Sequence, residues 1–514
     1  MRKIVYIAAC LIFLGSVAIG VYSKMNKNDQ RVLVYGLGSS GWGPLYPAHQ
    51  SSLYAALVIS HVYDSLVGVD NTGGFVPNLA TTWDVNQDYT VYTFVLDTDR
   101  KFSDGTPLTA NLYKESLLYS LKLNAAAANK SALDVLYALK GFSKFEAIGD
   151  IEGLQVEGDK ILKLIFEKPY RGAIEQLSGT RYGAYIMKDG NYLGAGPYIY
   201  SKLEADYVEL EPNPYYPHPL SIKKVKITTD GVKELYEGKV DVILAPSFLK
   251  KPSVVKINTA YKKLSFLLSA HRLVVVNGIK GKIFEKPEYR KAVQYIIFKY
   301  FLDTYADKLS SDFFKADLQF YPALFAGRLE KTEVMALMEE GKKYVESLRK
   351  ASKTNPIKCV YRLIGDFNYC EALNSYNIDT ENLMESFTGI KEILYKNFDA
   401  DLVSYGVSYT SADPDNIYHF LGKKGARWSP LTTRSKVEDL IEEGRSITDQ
   451  EKIDKHYKKV SRMILEEVPI VHLGHQKFYL EYNVDIVKPI EEVGARWKGV
   501  NSSLFEWNRG DSRR

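Results

Sequence analysis

Hydrophobic and polar positions along this chain alternate between two periods, one of strands and one of helices. Arg31-Val32-Leu33-Val34-Tyr35 is an apolar run of strand length, and after a glycine- and proline-punctuated loop from Gly36 to Pro47 the apolar residues recur at helical spacing from Ser51 to Val67. Strict alternation in Thr90-Val91-Tyr92-Thr93-Phe94-Val95-Leu96 predicts a half-buried strand in a hairpin-rich region from Trp83 to Leu96. Thr109 can cap a helix toward Leu123, a second helix is expected over 132–139, and strands return at 154–156 and 161–166. Gly194-Ala195-Gly196-Pro197 opens a strand pair, 198–203 and 207–210; strands at 223–229 and 240–244 then flank a short helix at 232–237, a βαβ pattern. The second half carries longer helices at 289–305, 331–350 and 437–467, with strands at 357–363 and 401–407 between them. No fixed-period repeat interrupts this mixture, so the fold class is α/β.

The first residues stand apart from that pattern. Arg2 and Lys3 precede an uncharged apolar run from Ile4 to Tyr22, which ends before the polar stretch Ser23 to Arg31. This is an export segment. Its length fits a retained membrane anchor, while small residues at Ala18, Gly20 and Ser23 leave cleavage open. Ile7-Ala8-Ala9-Cys10 resembles a lipoprotein box, but twelve more residues, Leu11 to Tyr22, follow Cys10 where an acylated cysteine would close the apolar run.

At 514 residues the chain exceeds what one core supports, so at least two lobes are required. Its 67 basic and 62 acidic residues are interleaved, which argues against a nucleic-acid partner. The 38 tyrosines suit a cleft for peptides or sugars as well as a tyrosine-rich core. Beyond the leader only Cys359 and Cys370 remain, either a pair in an oxidising compartment or two independent buried thiols.

Candidate chemistry is sparse. Gly36-Leu37-Gly38-Ser39-Ser40-Gly41 has the spacing of a dinucleotide-binding loop, but Trp42-Gly43-Pro44-Leu45-Tyr46-Pro47 blocks the helix that such a loop must open. His472 and His475 flank Leu473-Gly474, and nothing near them in sequence supplies the third ligand of a metal site. Neither a nucleophile elbow nor a cysteine in a nucleophile context is present. No cofactor, metal or catalytic group is expected from this pattern, and the chain does not read as an enzyme.

Three ordered segments carry a family resemblance: Val62-Tyr63-Asp64-Ser65-Leu66-Val67-Gly68-Val69-Asp70, then Pro77-Asn78-Leu79-Ala80-Thr81-Thr82-Trp83, then 94–109 with Lys101-Phe102-Ser103-Asp104-Gly105-Thr106-Pro107-Leu108-Thr109. Gly194 to Tyr198 with Asn213-Pro214-Tyr215-Tyr216, and later Asp401-Leu402, Ala412-Asp413-Pro414 and 464–473, follow in the same order. Together they resemble the family 5 extracellular solute-binding proteins, receptors of ABC importers for oligopeptides, dipeptides and nickel.

The resemblance implies a type II periplasmic-binding-protein-like fold of two lobes with a hinge, the first lobe enlarged by an extra sub-domain. Lobe I would comprise 31–70, 186–268 and 478–514, the sub-domain 71–185 and lobe II 269–477, after the signal or anchor segment 1–30. It also implies a peptide-like ligand laid along 401–410, an ABC permease partner in the inner membrane and a periplasmic or extracytoplasmic location, with an anchored sensor or a hydrolase as alternatives. The ligand-facing positions would be Gly406, Val407, Ser408, Tyr409, Thr410 and Asp413, with Ser51 and Leu53 from the first-lobe loop. Peptide-binding relatives place an aspartate for the ligand's amino terminus where this chain has Thr410. Ser51, Ser52 and Leu53 likewise stand where some relatives offer an acidic contact. Blocked or modified peptides, oligosaccharides and metal chelates therefore stay open as ligands.

Overall fold

The computed structural model describes residues 31–37, 42–50, 52–70, 74–126, 133–145, 149–229, 231–246, 261–309, 314–321, 326–361, 369–385, 399–409, 413–422, 436–489 and 505–507. Residues 1–30, which hold the expected export segment and Cys10, and the candidate residues Ser51 and Thr410 lie outside them.

The first strand, Val32–Leu37, pairs in parallel with Lys224–Thr228 on one side and Val242–Pro246 on the other. Those two flank the helix Gly231–Tyr236 in sequence, so the expected βαβ unit closes around the first strand. A side chain on Gly36 would place its Cβ 2.6 Å from the Gly231 Cα. Strand and helix thus meet backbone to backbone, and the glycine serves packing. Antiparallel partners Tyr207–Pro212 and Tyr198–Leu203 extend this end of the sheet.

At the other end the sheet continues through two long strands, Ile470–Asn483 of 14 residues and Tyr261–Val276 of 16. Leu402–Tyr409, Ile357–Tyr361 and Thr380–Met384 follow, and Phe314–Ala316, paired with Ile470–Asn483, completes one sheet of eleven strands among the described residues. The long pair feeds cores at both ends. Leu480 and Tyr482 pack with Leu33, Tyr35 and Val225. At the far end Val274, Val276, Val471 and Leu473 face one core, and Leu273, Val275 and Ile470 face another across the sheet. A further core runs from Leu66 to Ala184 with Ala195. It lies around a separate antiparallel sheet ordered 80–85, 91–96, 161–165, 154–157.

Many tyrosines belong to these cores. Tyr92, Tyr113, Tyr198, Tyr321 and Tyr369 are buried, and their hydroxyls donate to the carbonyls of Tyr170, Tyr182, Ile222, Pro414 and Val360 at 2.6–3.0 Å. Each ring fills apolar volume while its polar tip is satisfied by main chain. Cys359 and Cys370 are buried thiols not joined in a disulfide, and burial, followed by the bond with Cys370, pushes the Cys359 thiol well up.

Tertiary bonds shorten several expected helices. The helix expected from Ser51 to Val67 is Leu53–Ile59, because the next carbonyls are taken from elsewhere: Tyr198 N donates to His61 O and Gly196 N to Val62 O, both at 2.9 Å. The expected 437–467 helix is two, Lys436–Gly444 and Gln450–Glu467, the second capped by Asp449, which accepts from Lys452 N at 2.9 Å. The expected 331–350 helix is broken by a 3₁₀ turn at Glu340–Tyr344. Thr109 caps Ala110–Ala126 as its sequence position indicates, accepting from Leu112 N at 3.2 Å.

A buried ion pair ties the 66–184 core to the first strand's end of the molecule. Arg100 pairs with Asp64 and donates to the Ala195 carbonyl at 2.7 Å; burial raises the Asp64 carboxyl pKa, with Arg100 pulling against it. Arg100→Met should cost about 3–5 kcal/mol by stranding a buried carboxylate. Since that carboxylate takes up a proton as pH falls, the loss should be smaller at pH 5 than at pH 7. Urea unfolding at both values checks this, and equal losses would exclude Asp64 as the cause.

His61 offers a second test. Burial lowers its pKa to about 4 despite the 2.7 Å contact of Nδ1 with the Leu57 carbonyl. The folded value lies below the unfolded one near 6.5, so the native state binds fewer protons between them. This contribution is complete above roughly pH 6.5 and is lost as pH falls toward 4, about 2 kcal/mol of it between pH 7 and pH 5. The wild type should lose that increment over the interval relative to His61→Gln; parallel pH curves would rule it out.

Candidate functional site

The strand Leu402–Tyr409 is paired along its whole length on one side, with Tyr261–Val276. On its other side the described pairs are Cys359↔Leu402 and Val360↔Val403 only. Beyond Val403 that other side runs from Ser404 to Tyr409. Gly406, Val407, Ser408 and Tyr409 sit in this stretch, opposite Arg272, His271, Ala270 and Ser269. A Cβ on Gly406 would lie 2.6 Å from Arg272 Nη1, so the guanidinium takes the space a side chain would need.

Leu53 opens the helix Leu53–Ile59, and Ser52 caps it by accepting from Ala55 N at 3.0 Å. The preceding Gln50 accepts from the Thr180 hydroxyl at 3.0 Å. That loop is thereby fastened beside the 66–184 core.

Asp413 is drawn into a seam between that core and the far end of the sheet. Its carboxylate accepts two bonds from Arg171, Nε at 3.0 Å and Nη2 at 2.7 Å, and Arg171 Nη1 donates to the Ile447 carbonyl at 2.6 Å. The Asp413 amide donates to Glu175 Oε2 at 3.3 Å. Burial disfavours the Arg171 charge, but Asp413 more than restores it. Alongside, Arg445 pairs with Asp415 at 3.3 Å and is sandwiched between the rings of Tyr170 at 4.1 Å and Tyr418 at 3.8 Å. Gln176 Nε2 donates to Asn416 Oδ1 at 3.3 Å. Arg171 and Tyr170 belong to the 66–184 side of this seam, and Asp413, Asp415, Tyr418 and Arg445 to the other. Asp413 and Asp415, which follow the candidate strand in sequence, thus each face an arginine. An open concavity of about 560 Å³, lined by Phe75, Val85, Tyr89, Tyr92, Arg171 and Thr448 among others, borders the same seam.

His472 and His475 gain a third neighbour in His271, contributed from the other long strand. The three rings are buried and their ligand nitrogens lie within 4.8 Å of one another. Burial, then the neighbouring imidazoles, lower His271 well below the ordinary range, and burial followed by His475 lowers His472 to about 3. All of these partnerships (Arg171, Glu175, Arg445, His271, Arg272) join residues far apart in sequence, which is why local spacing did not reveal them.

Residues 74–325 match the model of the bacterial extracellular solute-binding proteins, family 5, middle region. The periplasmic murein peptide-binding protein MppA of Escherichia coli (strain K12) is 24% identical over 237 residues, 42% of this chain and 43% of that protein. The chain thus aligns with less than half the length of that curated relative. The solved structure of the E. coli murein tripeptide-binding protein MppA superposes with a TM-score of 0.76 at 15% identity, covering 92% of this chain and 98% of the other. A periplasmic oligopeptide-binding protein from Borrelia burgdorferi gives 0.75 at 19% identity, covering 93% and 100%. Residues 74–325 thus carry the family 5 solute-binding pattern, and the chain has the type II periplasmic-binding-protein fold. No described helix is long and apolar enough to cross a membrane.

The bonds of Arg171 give a local test. Hydrogen bonds to charged groups contribute about 1.5–3 kcal/mol, and the Asp415 and Asn416 amides are held to Asp413 at 2.8 and 3.2 Å. Arg171→Gln should speed hydrogen exchange at these amides by roughly 10- to 100-fold, leaving the 470–483 strand protected. Unchanged exchange at 413–417 would mean the ion pair does not hold the seam.

Proposed function

We propose that this chain is the extracytoplasmic receptor of an ABC-type importer, a non-catalytic protein that takes a peptide-like ligand between two lobes and presents the closed form to a permease in the inner membrane. The observation that carries the reading is the far edge of the strand Leu402–Tyr409, across from its ladder with Tyr261–Val276 and beside a seam that joins two cores. An extended ligand adds to such an edge through main-chain bonds, with little dependence on its side chains. The relatives named for murein peptides and oligopeptides support the ligand class.

In this reading residues 31–70, 186–268 and 478–514 form lobe I, 71–185 its sub-domain and 269–477 lobe II. The segment 1–30 exports the chain or anchors it, with the lobes facing outward. Gly406 to Thr410 line the ligand, and the loop with Ser51 and Leu53 faces them from lobe I. Asp413 serves instead as a latch: paired with Arg171 across the seam, it favours the closed arrangement.

Ligand should raise the melting temperature, as mass action requires, and compact the protein in solution scattering. A tight ligand that leaves the scattering unchanged would sink the closure mechanism.

Charge at the ligand's amino end provides the second test. Thr410 is neutral, and Asp413 and Asp415 are engaged by Arg171 and Arg445. N-acetylation of a bound peptide should therefore cost less than about tenfold in affinity, against the 10- to 100-fold that loss of a charge-assisted bond would bring. Calorimetry on paired free and acetylated peptides at fixed salt decides, and Thr410→Asp should restore the preference for a free amine. A wild-type loss above tenfold would show that an acidic group of the chain reaches the amine.

A further inference from the structure

We propose that His271, His472 and His475 bind one divalent transition-metal ion of the zinc or nickel class through three imidazole nitrogens. The site is made by an irregularity in the long ladder. His271 stands opposite His475 and Arg272 opposite Gly474, but Leu273 stands opposite His472, so Leu473 is an extra residue on its strand. Residues 472 and 475, three apart, would point to opposite faces of a regular strand. The extra residue resets that alternation: His472, opposite Leu273, comes to the same side of the sheet as His271 and His475.

The donors suit the ion. Imidazole is a borderline ligand favoured by zinc, nickel and copper, and donor atoms in a tetrahedral site with bonds of 2.0–2.1 Å stand about 3.4 Å apart. His271 Nδ1 and His472 Nε2 are 2.9 Å apart and all three donors fall within 4.8 Å, so small ring rotations reach that spacing. His472 is already oriented for the task. Its Nδ1 lies 2.7 Å from the Asp317 carbonyl, which can only accept, so that nitrogen carries the proton and Nε2 presents its lone pair to the cluster. In the metal-free arrangement His271 Nδ1 donates to that lone pair; on coordination its proton passes to the ring's other nitrogen, and the imidazole stays neutral.

The surroundings are consistent with an added cation. The Asp317 carboxylate is 3.7 Å from His475 Nε2, and Arg328 Nη1 is 2.7 Å from the same carboxylate oxygen. Phe320 stacks on His271, ring centroids 4.9 Å apart, and excludes water from that side. Three protein donors leave one coordination position for water or another small donor. The inference does not rest on the receptor reading, because the ion is held by the chain's own side chains.

Purified full-length protein, stripped with chelator and dialysed, would be titrated with Zn²⁺ by calorimetry without peptide, and its cobalt form examined by visible spectroscopy. One equivalent should bind, Co²⁺ should give the intense visible bands of a tetrahedral site, and His475→Gln and His271→Gln should each weaken Zn²⁺ binding at least tenfold, while His456→Gln should not. If the buried variants fail to fold, X-ray absorption on the zinc-loaded wild type decides, with about three imidazole scatterers expected. Absence of a stoichiometric site, unchanged affinity in both variants, or a spectrum without imidazole would overturn the proposal. Peptide titration of the stripped protein reports on the receptor reading separately.

Discussion

One antiparallel ladder, between Tyr261–Val276 and Ile470–Asn483, carries the sheet from one end of the molecule to the other. Its two strands contribute side chains to the core around Tyr35 at one end and to the cores on both faces at the other. The candidate strand Leu402–Tyr409 is placed by pairing against it, and the bulge at Leu473 gathers the three histidines within it. A twist or bend of these two strands changes the relation of the ends while leaving each core intact. That is the mechanical requirement of the closure proposed above.

The seam is a different kind of contact. It is built from ion pairs, amide bonds and an arginine between two tyrosine rings, with charge at its centre. Separation returns these buried arginines and aspartates to water and restores the hydration they give up when paired, which offsets much of the pairing that is lost. In the closure proposed above, the ladder is the permanent connection and the seam the reversible one.

Much of the fold was legible because period and turn chemistry act locally: Val32–Leu37, the hairpin at 198–212, the unit around Gly231–Tyr236 and the Thr109-capped helix stand near their expected places. The two longest strands were not. Tyr261–Val276 mixes Lys, Ser, His and Arg with apolar residues, and Ile470–Asn483 carries two histidines and a glycine, so neither shows clean alternation. They are specified by each other. At the candidate site, sequence located the strand and its glycine but not Arg272 above it, nor the pairing of Asp413 with Arg171, which spans 242 positions. The histidine pair was visible; its third member required the fold.

The place of the last long strand also bears on how the chain is made. Ile470–Asn483 lies between Val242–Pro246 and Tyr261–Val276, although both neighbours leave the ribosome more than 190 residues earlier. Until it arrives, each of those neighbours has an open edge and the core around Tyr35 lacks Leu480 and Tyr482. The sheet therefore cannot close until residues 470–483 have been made, and the earlier strands must wait for them with edges still open.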